Sequence, residues 1–221
     1  MQAGKTPEKA YIKGVPANAQ SYLLSCEARS AVDWAAYWGV KIRERKFLKQ
    51  LPRSDNPNIG FVGNPNDPWG NIPPQSFGVY ANPIAKLLRE YGLIAEAHTG
   101  MQWSEAQIEI ASGRPVIVWV IGQMWRGISR KYVASDGKTV TVARYEHTMI
   151  LVGYDRNSVY AVDSYSGKIL SYSKKAFLQS WATLGNMAIT GQKKSKDKLI
   201  KGFKTNQQQL FLPFVKCNVS N

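Results

Sequence analysis

Three side chains supply the parts of an activated sulfur nucleophile: a thiol at Cys26, an imidazole at His147 and a carboxylate at Asp163, sixteen positions after the histidine. In such a set the imidazole takes the thiol proton and the carboxylate orients the ring. Gln20 stands six residues before the cysteine. Its side-chain amide and the Cys26 backbone N–H could together receive a developing oxyanion. The chain has 221 residues with only two histidines, and its second cysteine is Cys217.

Each residue also has an ordinary reading. Cysteine is often an inert buried residue, and Cys26 could pair with Cys217 in a disulfide that would silence it. His98 is the rival base, but it reads as part of a surface turn without a carboxylate at strand spacing. Asp163 alone reads as a strand-end aspartate before Ser164-Tyr165-Ser166-Gly167, and Gln20 alone as a surface glutamine.

The elements that must position these groups follow from periodicity. Cys26 to Trp38 reads as a helix with Ala28, Ala31, Val32, Ala35 and Ala36 on its buried face, Ser25 as N-cap and Gly39 as its stop. A helix N-terminus and a nearby imidazolium would both lower the thiol pKa. Arg53 to Ser76, dense in Gly, Pro and Asn, reads as a structured rim beside the site. Asn82-Pro83 opens the next helix, which stops at Gly92, and Ser104-Glu105-Ala106-Gln107 opens another as a capping box. Val116 to Ile121 is a central buried strand, and Asp136-Gly137 joins two strands as a hairpin. Thr148–Tyr154, Ser158–Val162, Ile169–Ser171 and Met187–Thr190 read as strands, with a helix from Ser173 to Trp181. If Tyr154 pairs with Ser158 around a three-residue loop, Asp163 becomes the diagonal, same-face neighbour of His147. A loop of two or four residues would turn it to the wrong face unless a bulge, for which Gly153 is a candidate, restored the register. The first ten residues read as a loose tail. Helices followed by mostly antiparallel strands make an α+β chain.

Composition narrows the function classes. With 44% hydrophobic residues the chain can bury a sizeable core, and no segment approaches a membrane span. The net charge of +14 gathers at Lys41–Lys49, Arg126–Lys131 and Lys193–Lys204 and favours anionic partners such as cell-wall polymers, lipid head groups or nucleic acid, an anionic cell-envelope surface among them; its ordinary reading is solubility and solvated helix faces. No base-reading basic helix, interleaved aromatic–basic motif or zinc-ligand spacing is present, so specific nucleic-acid binding, a metal and a cofactor are not expected. The N-terminus lacks a signal-peptide core, which fits a cytoplasmic protein or, as favoured here, a secreted or envelope protein read as its mature fragment.

Gln20, Cys26-Glu27, His147 with Leu151-Val152-Gly153-Tyr154-Asp155, and Asp163 resemble the papain-like bacteriocin-processing cysteine peptidases, family thirty-nine of the cysteine peptidases. The closer likeness is to their stand-alone "peptidase-like" branch. Phe61-Val62-Gly63-Asn64-Pro65, Gly78-Val79-Tyr80-Ala81, Pro83-Ile84-Ala85-Lys86 and Gly113 to Val120 are similar to blocks of that branch. Ser25 departs from the glycine that relatives often carry before the cysteine. The resemblance implies a papain-like domain over residues 11–190; after it the composition shifts to a basic extension, 191–221, whose apolar Leu210–Val215 run is expected to pack on the domain. It implies Cys26 as nucleophile, His147 as base then acid, Asp163 as orienter and Gln20 in the oxyanion hole, acting on a peptide or protein substrate without a cofactor. Two other readings stand beside hydrolysis: a transglutaminase-like acyl transferase using the same groups, and a non-catalytic module that binds anionic envelope polymers.

Overall fold

The computed structural model describes residues 6–193. The extension beyond Lys193, with Cys217, lies outside the described residues, so the expected packing of 191–221 concerns only Gly191-Gln192-Lys193 here, and these belong to the last strand of the domain.

The first strand, β1 (Ala10–Tyr11), is part of what was expected to be a loose tail. Its anchor is polar as well as strand-like, since the Tyr154 hydroxyl donates to the Pro7 carbonyl at 3.0 Å. Helix α1 (Cys26–Tyr37) follows. Its alanines let it lie close on the sheet, and the Trp34 indole N–H donates to the Pro115 carbonyl at 2.7 Å. Gly39, at φ +81°, ends the helix: its N–H reaches the Ala36 carbonyl while that of Val40 reaches Ala35, both at 2.9 Å. Ser25 occupies the N-cap position without capping; its hydroxyl donates to Glu44 Oε1 at 2.6 Å instead. Glu44 opens α2 (Glu44–Gln50), a short helix that the charge of its sequence concealed and that buries Phe47 and Leu48.

Helix α3 (Ala81–Glu90) begins one residue before the expected Asn82 cap, with Pro83 inside its first turn, where a missing N–H is harmless. β2 (Leu93–His98) replaces the turn expected around His98, which hydrogen-bonds Thr190 Oγ1 at 2.7 Å. Alanine-rich and short, this segment carries a weak strand signal. The capping box of α4 (Trp103–Ala111) is Gln102 with Glu105, two residues upstream of the expected one.

The remaining elements are β3 (Val116–Ile121), the ribbon β4 (Ser129–Val133) and β5 (Thr139–Ala143), β6 (Glu146–Tyr154), β7 (Ser158–Asp163), β8 (Lys168–Ser173), α5 (Lys174–Ala182) and β9 (Ala188–Lys193). The main sheet runs β2-β9-β3-β6-β7-β8, with β1 on β6, and every pairing is antiparallel. The fold is α+β with helices packed on a mostly antiparallel sheet. β6 is buried along its whole length because α1 lies over it and β3 and β7 flank it.

Candidate active site

Register brings the histidine and the aspartate together. Tyr154 pairs with Val159, so the loop has four residues rather than three, closed by the Asp155 carboxylate accepting from the Asn157 and Ser158 backbones. Left alone, that loop would turn Asp163 away. A bulge between Leu151 and Gly153 absorbs one residue, and Met149 then pairs with Asp163. The bulge leaves Val152 as the extra residue, beside the glycine expected to mark it. Its carbonyl accepts the Ile12 N–H at 2.7 Å. Gly153 is required for a different reason: a Cβ there would come within 2.6 Å of the Tyr11 ring.

His147 Nε2 consequently lies 2.7 Å from Asp163 Oδ1. Asp163 is fully buried. Burial alone would raise its pKa, but hydrogen bonds from His147 and the Ser166 hydroxyl, with the backbone N–H of Tyr165, outweigh it and hold the carboxyl down at about 2. It is an anion at neutral pH, able to fix the ring with its other nitrogen free.

That ring borders a cavity of about 280 Å³ lined by Gln20, Leu23, Cys26, Trp69, Gly122, Gln123, Trp125, His147 and Tyr165. Three of the four expected site residues therefore share one cleft, and the fourth holds the histidine from behind. His98 is remote from it, on β2. Cys26 carries a free, buried thiol.

Two details differ from what the helix start promised. The sulfur donates its hydrogen to Glu27 Oε2 at 3.3 Å. Its pKa is pushed well up, first by burial and then by the Glu27 and Glu146 carboxylates, so these acids oppose the helix N-terminus. Gln20, for its part, has Nε2 donating to the carbonyls of Tyr22 at 2.8 Å and Leu23 at 3.0 Å, while its Oε1 is buried without a partner. The amide lines the cleft, but both its hydrogens are occupied by the turn that leads into α1.

Sequence reasoning missed the residue that covers the histidine. Trp69, in the expected rim, donates its indole N–H to the Glu146 carbonyl at 2.7 Å and sets its ring 6.1 Å from the imidazole, edge to face. It also packs on Trp125 and Tyr145, and a Cβ on Gly70 would meet the Tyr145 ring at 2.4 Å. The apolar residues of the Gly/Pro-rich loop were the available signal: a disordered segment has no use for an indole.

The comparisons with known proteins concern the family and the fold. The model of the Peptidase_C39 like family matches residues 12–189. The uncharacterized protein YvpB of Bacillus subtilis is 29% identical over 178 residues, covering 76% of this chain and 69% of its own. The crystal structure of a Bacillus anthracis protein described as a candidate C39-like peptidase superposes with a TM-score of 0.73 at 26% identity, over 86% of this chain and 100% of the other. The peptidase domain of Streptococcus ComA, a bi-functional ABC transporter, is similar in fold, with a TM-score of 0.50 at 16% identity over 82% and 100%.

Proposed function

This chain belongs to the Peptidase_C39 like family, and on that premise we propose that it is a cysteine-dependent hydrolase of peptide or amide bonds with Cys26 as its nucleophile. The observation that carries the proposal is the shared cleft: the thiol and the imidazole line one cavity, and the imidazole is tied to a buried aspartate anion.

The steps follow from those positions. His147 takes the Cys26 proton as the sulfur attacks the substrate carbonyl carbon, and Asp163 keeps the ring aligned and offsets the charge it gains. The oxyanion gains the Cys26 backbone N–H at the start of α1, where the helix dipole favours negative charge. Gln20 joins by exchanging one of its two carbonyl partners in the turn for the oxyanion, a stronger acceptor. His147 then protonates the leaving amine, and water attacks the thioester, giving its proton to the same ring and releasing the acid. The cleft walls, Leu23, Trp125 and Tyr165, expose apolar surface beside the sulfur and suit a peptide with an apolar side chain near the scissile bond.

The test is selective alkylation. Iodoacetamide should label Cys26 faster than Cys217, His147→Asn should remove that advantage, and blocking Cys26 should abolish hydrolysis of a peptide library. Equal, slow labelling of both thiols defeats the proposal. Adding a primary amine separates hydrolysis from acyl transfer, since only the latter yields the amide of the added amine.

A further inference from the structure

Around the Cys26 sulfur the fold buries two acids that the nucleophile, base and orienter do not use. Glu27, next along α1, is 1% exposed, and Glu146, next to His147 on β6, is 2% exposed. The sulfur and one oxygen from each carboxyl lie within 4.8 Å of one another. Glu27 is clamped between two hydrogens: Oε2 accepts the Cys26 S–H at 3.3 Å and Oε1 the Val79 N–H at 2.6 Å. Glu146 Oε1 accepts the Thr148 hydroxyl at 3.3 Å. The space is built for them, because a Cβ on Gly78 would stand 2.1 Å from Glu27 Oε1 and 3.3 Å from Glu146 Oε2.

No lysine or arginine forms an ion pair with either carboxyl among the described residues. The other titratable neighbours are Tyr80, whose hydroxyl is committed to the Thr141 carbonyl and whose pKa is raised by burial and by both glutamates, and His147, committed to Asp163. Two carboxylates and a thiolate cannot all be charged in one buried space without a cation, so the three groups exchange protons as a unit.

We propose that Glu27 is a positioning residue that gates the nucleophile, the Cys26 thiolate forming only while Glu27 itself holds the proton of the Glu27–Glu146 pair. This rests on Cys26 being the nucleophile. In the permitted state the S–H bond breaks, the proton passes to His147, the electron pair stays on sulfur, and the protonated Glu27 carboxyl turns its O–H toward the sulfur. In the blocked state Glu27 is ionised and its oxygen holds the hydrogen on the sulfur. Burial, which pushes Glu27 up to about 7 and Glu146 well above the ordinary carboxylate range, agrees with a proton resident on the pair at mildly acid pH.

Glutamine at position 27 imitates the protonated state at every pH. The experiment is the alkylation rate of Cys26, followed on its own peptide by mass spectrometry, in the full chain and in Glu27→Gln. The two rates should agree within about threefold at about pH 5.5, and the variant should react about tenfold faster at about pH 8.5, the equivalent of one pKa unit on the thiol. Parallel profiles for the two proteins overturn the inference. If the variant does not fold, infrared spectra of the unmodified protein decide. A protonated carboxylic-acid carbonyl band present at about pH 6 and weakened by about pH 8.5 supports it, and absence of that band at the lower pH, or a band that does not change, overturns it. His147→Asn separates the two levels of failure. If the advantage of Cys26 over Cys217 ignores His147, the nucleophile assignment and this inference fall together. If the advantage depends on His147 while the Glu27→Gln profile stays parallel, only this inference falls.

Discussion

Helix α1 contributes to two buried acidic clusters, through Glu27 and through Asp33 six residues on, and they are treated in opposite ways. Downstream, Arg29 bridges Asp33 at 2.7 Å and Glu44 at 3.3 Å. Asn18 donates twice to Asp33, and Ser21 and Ser25 together donate three times to Glu44. Each oxygen there has a donor and a cation is at hand. Upstream, Glu27 and Glu146 share a space with a thiol and a few donors, and no lysine or arginine pairs with them among the described residues. The first cluster ties α2 and the segment before α1 to the helix. The second leaves charge unresolved beside the candidate nucleophile, where a structural role would have resolved it. Unresolved charge at a cleft is the pattern expected where protons must move.

The largest effects divide these clusters by kind. Cys26→Ala should cost about 10⁴-fold or more in hydrolysis, measured by product release, and should change urea-unfolding stability by less than about 1 kcal/mol. Arg29→Met should do the reverse. Stability should drop by about 3–5 kcal/mol, because two acids lose the cation buried with them, while the folded fraction keeps its Cys26 alkylation rate. A small stability loss in Arg29→Met would erase the contrast.

Titration comes next. Asp163 sits at about 2 in the fold, so its stabilisation, about 2 kcal/mol, is complete above the ordinary carboxylate pKa and is lost as pH falls through about 2. Asp163→Asn should remove that acid limb from a plot of unfolding free energy against pH. Glu27 has the opposite sign. Raised to about 7, it binds its proton more tightly folded than unfolded, so stability falls as pH rises from the ordinary carboxylate range through about 7. Glu27→Gln should flatten that slope, and an unchanged slope would mean that Glu27 contributes nothing to it. Of similar size is Ser25→Gly, which removes the hydroxyl that donates to Glu44 Oε1 and accepts the Tyr22 N–H and should cost about 1.5–3 kcal/mol in chemical denaturation.

Much of this frame could be read from the residues. The alanine face of α1, the buried run of β3 and the apolar runs of β6 and β7 are local signals, and they locate the thiol, the imidazole and the carboxylate on definite elements. What could not be read was the partner of each polar group. Ser25 looks like a cap because caps are local, yet its hydroxyl goes to Glu44, nineteen residues away. Glu27 looks like a first-turn acid serving the helix dipole, yet it is buried against Val79 and the sulfur. Trp69 lies in a loop with no periodicity to betray that it covers His147. β2 was missed because alanines between a helix stop and a turn carry little strand preference. Patterns of period two and 3.6 are written in neighbours; the electrostatic partners of a site are chosen across the fold.

The kink at Val152 makes a remote turn part of the candidate site. From Tyr154, where the hairpin closes, to His147 is at most roughly 23 Å of strand. Along that length the two strands act as meshed gears, and the surplus residue is the tooth that brings imidazole and carboxylate into step. Deleting one residue from the solvent-facing turn, or one from the kink, should throw them to opposite sides of the sheet, whereas deleting one from each should bring them back into mesh.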